Sequence, residues 1–588
     1  MLVLLLLLLS VEGLFLQPIE ANFIVFTENP EKFMGTENKL KDLTILLRED
    51  GKVVIGGRNG IFKISVKDLK VEKSLQWFSS ENERQACLIK GRLEEECQNY
   101  LLIYAETSMD TVLVCGTNAF RPLCRKYQEK LSNYEVIEEF SGEGLCPYSP
   151  YYPSTAKFIN GELYAATFGQ FSGDDPLIYR RPVRTKIGNY HQLNEPEFIA
   201  SFYHGKFVYF LFKEKAIEDI DYKKKKYSRI ARVCTNDRGY AYSGHVKMWT
   251  SFLKTRLSCY IPGPVPFYFN EIFAATDVLE RTIRGRNELV IYVAFKTPDD
   301  FYGSAVCLFR LREIEKAFEG DFKFQKDKLS NWVPFPAQEV PTQRPGSCVK
   351  NSELSTEALQ FAYQHYFMNE NVESFLEEPV LTYTSDCHVT SFAVDTVKTV
   401  NEGKYDVLFL GTSCGKVIKT IYNPSNRIER IIVEEINIAH VNASITNLHI
   451  HNNTLMLLTQ HDIYTVPTQR CEKNPKTCSH CVGLQDPYCA WDKTKMICTT
   501  VNEERNRNLI QNIKSGYDFE CCSYDSAKEL CSTSMFDRNN LAIAISIIYL
   551  MTTVFILFGV CFFVNKTNLK KCFNFLYRRK IKMIKSRY

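Results

Sequence analysis

The chain has 588 residues, more than one compact core accommodates, so it either divides into domains or repeats an architecture. Aromatics make up 13% of it, nearly all Phe and Tyr, which favours strands, whose half-buried pleats take large flat side chains. The formal net charge of +4 is local: residues 565–588 hold nine Lys or Arg and no acid, so the remainder is mildly acidic, which argues against a nucleic-acid binder.

Residues 2–9 form an unbroken Leu/Val run followed by Ser10, Glu12 and Gly13. The run is too short to span a bilayer and reads as a signal-peptide core, placing a signal segment at 1–21, with cleavage after Gly13 or after Ala21. From there to residue 470, short β-like runs alternate with Gly, Asn, Asp and Pro. Residues 52–55 and 61–66 flank Gly56-Gly57-Arg58-Asn59-Gly60, and residues 405–410 and 416–421 flank a turn after Gly411; each pair reads as a hairpin. Many short strands over this length fit a propeller or another large β assembly, but no strict repeat gives a blade count. Residues 310–319 and 353–366 have helical spacing instead. Pro334, Pro336, Pro341 and Pro345 lie between them, so the segment reads as an insertion on a β scaffold.

Residues 471–534 form a cysteine-rich segment. Cys471, Cys478, Cys481, Cys489 and Cys498 fall within 28 residues, and Cys521, Cys522 and Cys531 follow. So small a segment buries little core and relies on cross-links, which places it in an oxidising compartment. Residues 541–564 are 24 in number and uncharged; as a helix they reach about 36 Å, enough to cross a hydrocarbon core of about 30 Å. The basic residues 566–588 that follow stay cytoplasmic by the positive-inside rule, leaving the N-terminal bulk outside on a single type I span in the cell membrane. The tail 565–588 interleaves cations with Phe573, Phe575 and Tyr577, which suits a helix on an anionic leaflet as well as an ordinary stop-transfer tail; Cys572 is a palmitoylation candidate.

Several long stretches carry a resemblance. Asp486-Pro487-Tyr488-Cys489-Ala490-Trp491-Asp492, with the cysteine spacing around it, resembles the PSI module of plexins, semaphorins and integrins. Upstream, Glu96-Cys97-Gln98-Asn99-Tyr100, Leu113-Val114-Cys115-Gly116-Thr117-Asn118-Ala119-Phe120, Tyr227-Ser228-Arg229-Ile230-Ala231-Arg232-Val233-Cys234, Trp249-Thr250-Ser251-Phe252-Leu253-Lys254 and Arg344-Pro345-Gly346-Ser347-Cys348 occur in the order that resembles the semaphorin Sema domain. The resemblance implies an all-β fold: a seven-bladed β-propeller over 22–470 with an extrusion in blade five, then a PSI module and one transmembrane helix. This order, without an immunoglobulin domain, is most like class 1 invertebrate semaphorins, although the tail is short for that class.

The same resemblance implies disulfides Cys87–Cys97, Cys115–Cys124, Cys234–Cys348 and Cys259–Cys307. In the PSI module it implies Cys471–Cys489 and Cys481–Cys498, with Cys478 pairing to Cys521 or Cys522, and Cys522 carried forward as the partner. Cys387 and Cys414 flank neighbouring strand-like runs and pair across them. Cys146 reads as a buried free thiol, and Cys531 as either an intrachain or an interchain cysteine. Asn442 and Asn452 head exposed glycosylation sequons.

No catalytic constellation, cofactor motif or metal set is legible. Cys478-x-x-Cys481 sits among disulfide cysteines, and His449-Ile450-His451 reads as an exposed polar face without a third ligand. Lys223-Lys224-Lys225-Lys226 reads as a solvated loop, with a heparan-sulfate contact or a processing site for a basic-specific protease as the functional alternatives. The resemblance therefore implies a membrane-anchored guidance ligand that binds a plexin receptor on a neighbouring cell as a homodimer, acting in axon guidance, migration and cell contact. The receptor surface is sought between Glu195 and Arg232, with Tyr203, His204 and Lys206 as candidate contacts. The alternatives are a receptor, or a homophilic adhesion protein, signalling inward through its short tail.

Overall fold

The computed structural model describes residues 24–525, except 29, 34–40, 131–132, 219–224, 243, 284, 299–302, 328–329, 350–352, 401–402, 424–430, 440, 474 and 502–507. The signal segment, the apolar stretch 541–564, the basic tail and Cys531 lie outside the described residues. Among the described residues no helix is long and apolar enough to cross a membrane. The chain forms two compact units, one ending at Arg470 but including Asp486–Tyr488, the other comprising Cys471–Gln485 and the residues from Cys489.

The first unit holds seven sheets of four to six strands among its described residues, taken here as first to seventh in chain order. Each begins with an edge strand: Thr44–Glu49, Leu101–Ser108, Thr155–Ile159, Glu197–His204, Glu271–Ala275, Val389–Lys398 and Asn447–His451. Side chains of all seven first strands line one central cavity. The second strands are nearly continuous apolar runs, such as Thr111–Gly116, Phe207–Lys215 and Lys404–Thr412, buried almost throughout. That pattern follows from sheets covered on both faces by their neighbours, which removes the in–out alternation of a solvated sheet. Gly56 shows how closely the first two sheets approach, because a Cβ there would lie 2.3 Å from the Leu101 carbonyl oxygen.

The N-terminal strands complete the last two sheets. Ile24–Glu28 pairs in parallel with Ile431–Ile438 of the sixth sheet, and Glu31–Lys32 pairs antiparallel with Ile463–Pro467 of the seventh. A buried ion cluster clasps this closure. Arg470 donates through Nε to Glu28 at 2.6 Å and through Nη1 to Glu434 at 2.7 Å, and Lys419 donates to Asp486 at 2.5 Å. Joining the ends covers edges that would otherwise template foreign strands.

The insertion expected between the two helical spans leaves the fifth sheet after Gly303–Arg310 and returns at Leu381–Thr384. It carries the helices Leu311–Glu319 and Thr356–Gln364 and packs on the fourth sheet, where Val372–Glu373 pairs with Leu257–Ser258. Disulfides Cys87–Cys97, Cys115–Cys124, Cys234–Cys348, Cys259–Cys307 and Cys387–Cys414 cross-link this unit. Cys146 is a buried free thiol, and burial pushes its pKa far up.

The second unit is held by Cys471–Cys489, Cys481–Cys498 and Cys478–Cys521 around a three-stranded sheet. The last pair corrects the expected Cys478–Cys522 bond. Cys521 and Cys522 are neighbours on the 3-10 helix Phe519–Ser523, where successive side chains project about 120° apart. Only one of them faces the helix Cys478–Gly483, and that one is the buried Cys521. Cys522 is disulfide-bonded, but not to Cys478.

Candidate functional site

Tyr203, His204 and Lys206 cluster at the tip of the hairpin made by Glu197–His204 and Phe207–Lys215 in the fourth sheet. Phe202, Val208, Phe210 and Phe212 are buried in the core, and the length of the turn between the strands sets the hairpin register. The two-residue turn is Gly205-Lys206, with φ +61 at Gly205, the position where a type II′ turn needs glycine.

Several contacts hold this tip. The Tyr203 hydroxyl donates to the Gly205 carbonyl at 2.7 Å, and the Thr235 N–H donates to the Lys206 carbonyl at 2.9 Å. The Cys234–Cys348 bridge ties the adjoining strand end to the insertion, with Cys348 Sγ 3.5 Å from that same carbonyl. His204 Nε2 faces Glu315 of the insertion helix at 3.8 Å. Tyr203 remains 39% exposed and, with Phe158, Phe202, Lys157 and Asp277, lines an adjacent groove of ≈ 460 Å³. A rigid tip carrying an aromatic ring, an imidazole and an ammonium is suited to recognising a protein surface. It brings together no nucleophile and base.

Other parts of the sequence range are unsuited to contact. Arg229 and Arg232 are buried. Arg229 pairs with Glu214 at 2.9 Å and Glu218 at 2.6 Å, and Arg232 lies between the rings of Phe207 and Phe318 with its pKa lowered by burial. Both are therefore removed from the candidate surface. Within the lysine run, Lys226 pairs with Glu197 at 2.7 Å, while Lys223 and Lys224 lie outside the described residues.

The histidine pair also departs from its reading as an exposed face. His449 and His451 are half-buried because their strand is the innermost of the seventh sheet, and His449 lines the central cavity. Burial, helped by the charge of Arg48, lowers the His449 pKa to about 4. Asn442 and Asn452 are exposed, so both sequons are accessible.

Sequence reasoning missed one surface. The connection from Leu253–Ile261 to Phe267–Phe269 exposes Ile261, Val265, Phe267 and Tyr268, with Val265 88% exposed. Its signal was present, since Pro262, Pro264 and Pro266 interrupt an apolar run that cannot then continue as a paired strand.

Comparison with known proteins sets this geometry in context. The Sema domain model matches residues 273–452, and the plexin repeat model matches residues 470–523. Semaphorin-1A of Schistocerca americana is 39% identical over 514 residues, an alignment spanning 84% of this chain and 70% of the relative. Semaphorin-1A of Drosophila melanogaster is 39% identical over 522 residues, spanning 84% of this chain and 58% of the relative. The solved structure of Drosophila Plexin A in complex with Semaphorin 1b superposes with a TM-score of 0.76 at 37% identity, covering 83% of this chain and 98% of the matched one.

Proposed function

This chain belongs to the semaphorin family, and from that membership we propose that it is a membrane-anchored guidance ligand that binds a plexin receptor on a neighbouring cell. The observation that carries the reading is the 37% identity, over 98% of the matched chain, to a solved structure of Plexin A in complex with Semaphorin 1b. In this reading the seven sheets are the blades of a β-propeller, the insertion is the extrusion of its fifth blade, and residues 541–564 are the single span that tethers it.

The mechanism is binding without bond-making. A propeller dimer held at a membrane presents two receptor sites, so the second engagement is intramolecular and avidity exceeds the single-site affinity. The hairpin tip with Tyr203, His204 and Lys206, together with its groove, is the proposed contact surface. What supports that choice is the combination of exposure with a backbone already fixed by a turn, hydrogen bonds and a disulfide, because such a surface loses little entropy on binding.

The test is binding of the soluble ectodomain, residues 22–534, to cells each displaying a single plexin. Saturable binding with receptor-dependent collapse or turning is expected. A folded, disulfide-intact sample that binds no plexin refutes the ligand reading.

A further inference from the structure

We propose that the Cys387–Cys414 disulfide is a reversible redox switch, cut by an extracellular dithiol reductant while the other described bridges hold. This rests on the extracellular placement that the ligand reading gives the seven-sheet unit. Eight disulfides join described residues. In six of them both cysteines are buried, and in Cys234–Cys348 Cys234 is buried while Cys348 is half-buried. Cys387–Cys414 alone among the eight has neither cysteine buried, Cys387 being half-buried and Cys414 exposed. A reductant has to reach a sulfur before it exchanges, so access orders the bridges and the exposed one is the labile one.

Its position decides what cleavage releases. Cys387 lies in the connection that leads from Leu381–Thr384 of the fifth sheet into Val389–Lys398, the first strand of the sixth. Cys414 lies in the turn between Lys404–Thr412 and Lys416–Tyr422 of the sixth sheet. The same turn abuts the connection to the seventh sheet. A Cβ at Gly415 would lie 2.1 Å from the Val441 carbonyl oxygen, and the Ile445 N–H donates to the Thr412 carbonyl at 3.1 Å. The bridge therefore braces a turn that touches the connections on both sides of the sixth sheet. The paired strands beside it keep their register from Val389↔Thr412 to Lys398↔Lys404, so cutting the bridge frees the turn and leaves the sheet intact. The Ser413 N–H donates to the His388 carbonyl at 2.9 Å, which holds the two cysteines near each other after cleavage and allows the bridge to re-form.

The reaction is thiol–disulfide exchange. One thiolate of the dithiol attacks Sγ of Cys414, the exposed partner; the S–S bond breaks, and Cys387 leaves as a thiolate that takes up a proton. The second thiol of the reductant, deprotonated in turn, attacks the mixed disulfide and releases Cys414, which is protonated likewise. Two electrons pass from the dithiol to the bridge, and the reductant leaves as a disulfide. The product is a folded unit whose turn at 413–415 is held only by hydrogen bonds and packing. Local opening then rises at that turn and, through Thr412 and Gly415, in the connection from Val441 to Ile445. Asn442, the exposed head of a sequon, sits in that connection.

The experiment is a time course of reduction of the full-length protein in nanodiscs by thioredoxin with its reductase, and by dithiothreitol in parallel. Freed thiols are alkylated at each time point and the cysteines assigned by peptide mass spectrometry. Cys387 and Cys414 should become alkylated together, about tenfold or more faster than the cysteines of any other described bridge. Removing the reductant and adding oxidised glutathione should close the bridge again. Hydrogen exchange of the reduced protein should rise at 385–388, 412–415 and 441–445 and stay unchanged in the fourth sheet. The variant carrying Cys387→Ser and Cys414→Ser should show the same exchange pattern without reductant. The inference is overturned if another described bridge opens first or at the same rate, if the opened bridge does not re-form, or if its opening leaves exchange unchanged. Where the double variant does not fold, labelling and exchange of the wild-type protein decide alone. Neither measurement involves a receptor, so a negative result here is distinct from failure of the ligand reading.

Discussion

Replacing Arg470 by Leu should open the ring at its seam. The guanidinium is 1% exposed and holds two carboxylates that are scarcely more accessible, Glu28 at 6% and Glu434 at 4%. Removing it strands buried negative charge. Breaking a buried pair in this way typically costs about 3–5 kcal/mol, and because Lys419 still stands 3.6 Å from Glu434 the lower end, about 3 kcal/mol, is expected. That corresponds to roughly a hundredfold rise in the open population, concentrated where Ile24–Glu28 pairs with Ile431–Ile438. Hydrogen exchange of these two segments is the assay, with the other five sheets as internal reference. The penalty should also depend on pH. Burial already raises the Glu434 pKa above its ordinary value, against the opposing pull of Lys419 and Arg470. Without Arg470 it rises further, so the folded form keeps a proton that the unfolded chain has lost. Stability of the variant then falls as pH rises from the ordinary glutamate pKa of 4.5 through the folded value, and the penalty is larger at pH 7.5 than at pH 5. Adding Glu28→Gln to Arg470→Leu should recover part of the loss. Unchanged exchange in Ile24–Glu28, or a penalty equal at both pH values, would refute the clasp.

Three further outcomes are expected. Cys348→Ser opens a loop of 114 residues between Cys234 and Cys348, worth about 4–5 kcal/mol of unfolded-chain entropy, so secreted yield should collapse and the insertion should become protease-sensitive; normal secretion would contradict this. Tyr203→Ala should weaken plexin binding about tenfold, while Lys206→Glu should mainly slow association. Surface plasmon resonance on protein of unchanged circular dichroism checks both, and wild-type kinetics in each would remove the tip from the contact surface. His449 has a folded pKa of about 4, so the unfolded chain takes up a proton as pH falls below 6.5 while the folded chain does not. Stability is lost over that interval, by at most about 3 kcal/mol at its acid end, and His449→Gln should flatten the melting-temperature profile between pH 7 and 4.5.

The strands and their hairpins were legible because their signals are local. The runs at residues 52–55 and 405–410 are apolar and bounded by turn residues, and they pair as read. The insertion was legible for the same reason, since helical periodicity replaces short strands there. The number of sheets was not legible from pattern, because second strands covered on both faces, such as Phe207–Lys215, lose the alternation that marks a sheet's depth. Ring closure left no mark either. Nothing in the sequence around Ile24–Glu28 says that its partner is Ile431–Ile438, since the pairing is set by the geometry of the whole circle. The cavity groups share this cause: Arg48 and His449 each look like an ordinary strand residue until the ring brings their strands together. The choice of Cys521 over Cys522 turns on which way one short helix faces, and spacing does not encode that.

With the hairpin tip as the proposed receptor contact, its arrangement bears on how such a ligand gains specificity. A loop that ordered only on contact would spend about 0.5–1.5 kcal/mol for each side chain immobilised, and its bound shape would depend on the partner. Here the turn is fixed by Gly205, Tyr203 closes onto the Gly205 carbonyl, and the Lys206 carbonyl is held by Thr235 beside the Cys234–Cys348 bridge. The side chains are thus displayed on a backbone that does not adapt, and a partner that fails to match them gains little from induced fit. It follows that substitutions loosening the tip without removing a contact side chain should relax discrimination more than they reduce affinity. Thr235→Val is the cleanest of these, because it deletes the second donor to the Lys206 carbonyl, at 3.1 Å, and leaves Tyr203, His204 and Lys206 in place. Measured against a panel of plexins, it should narrow the gap between the preferred receptor and the others; an unchanged rank order with unchanged ratios would show that rigidity at the tip does not set the choice.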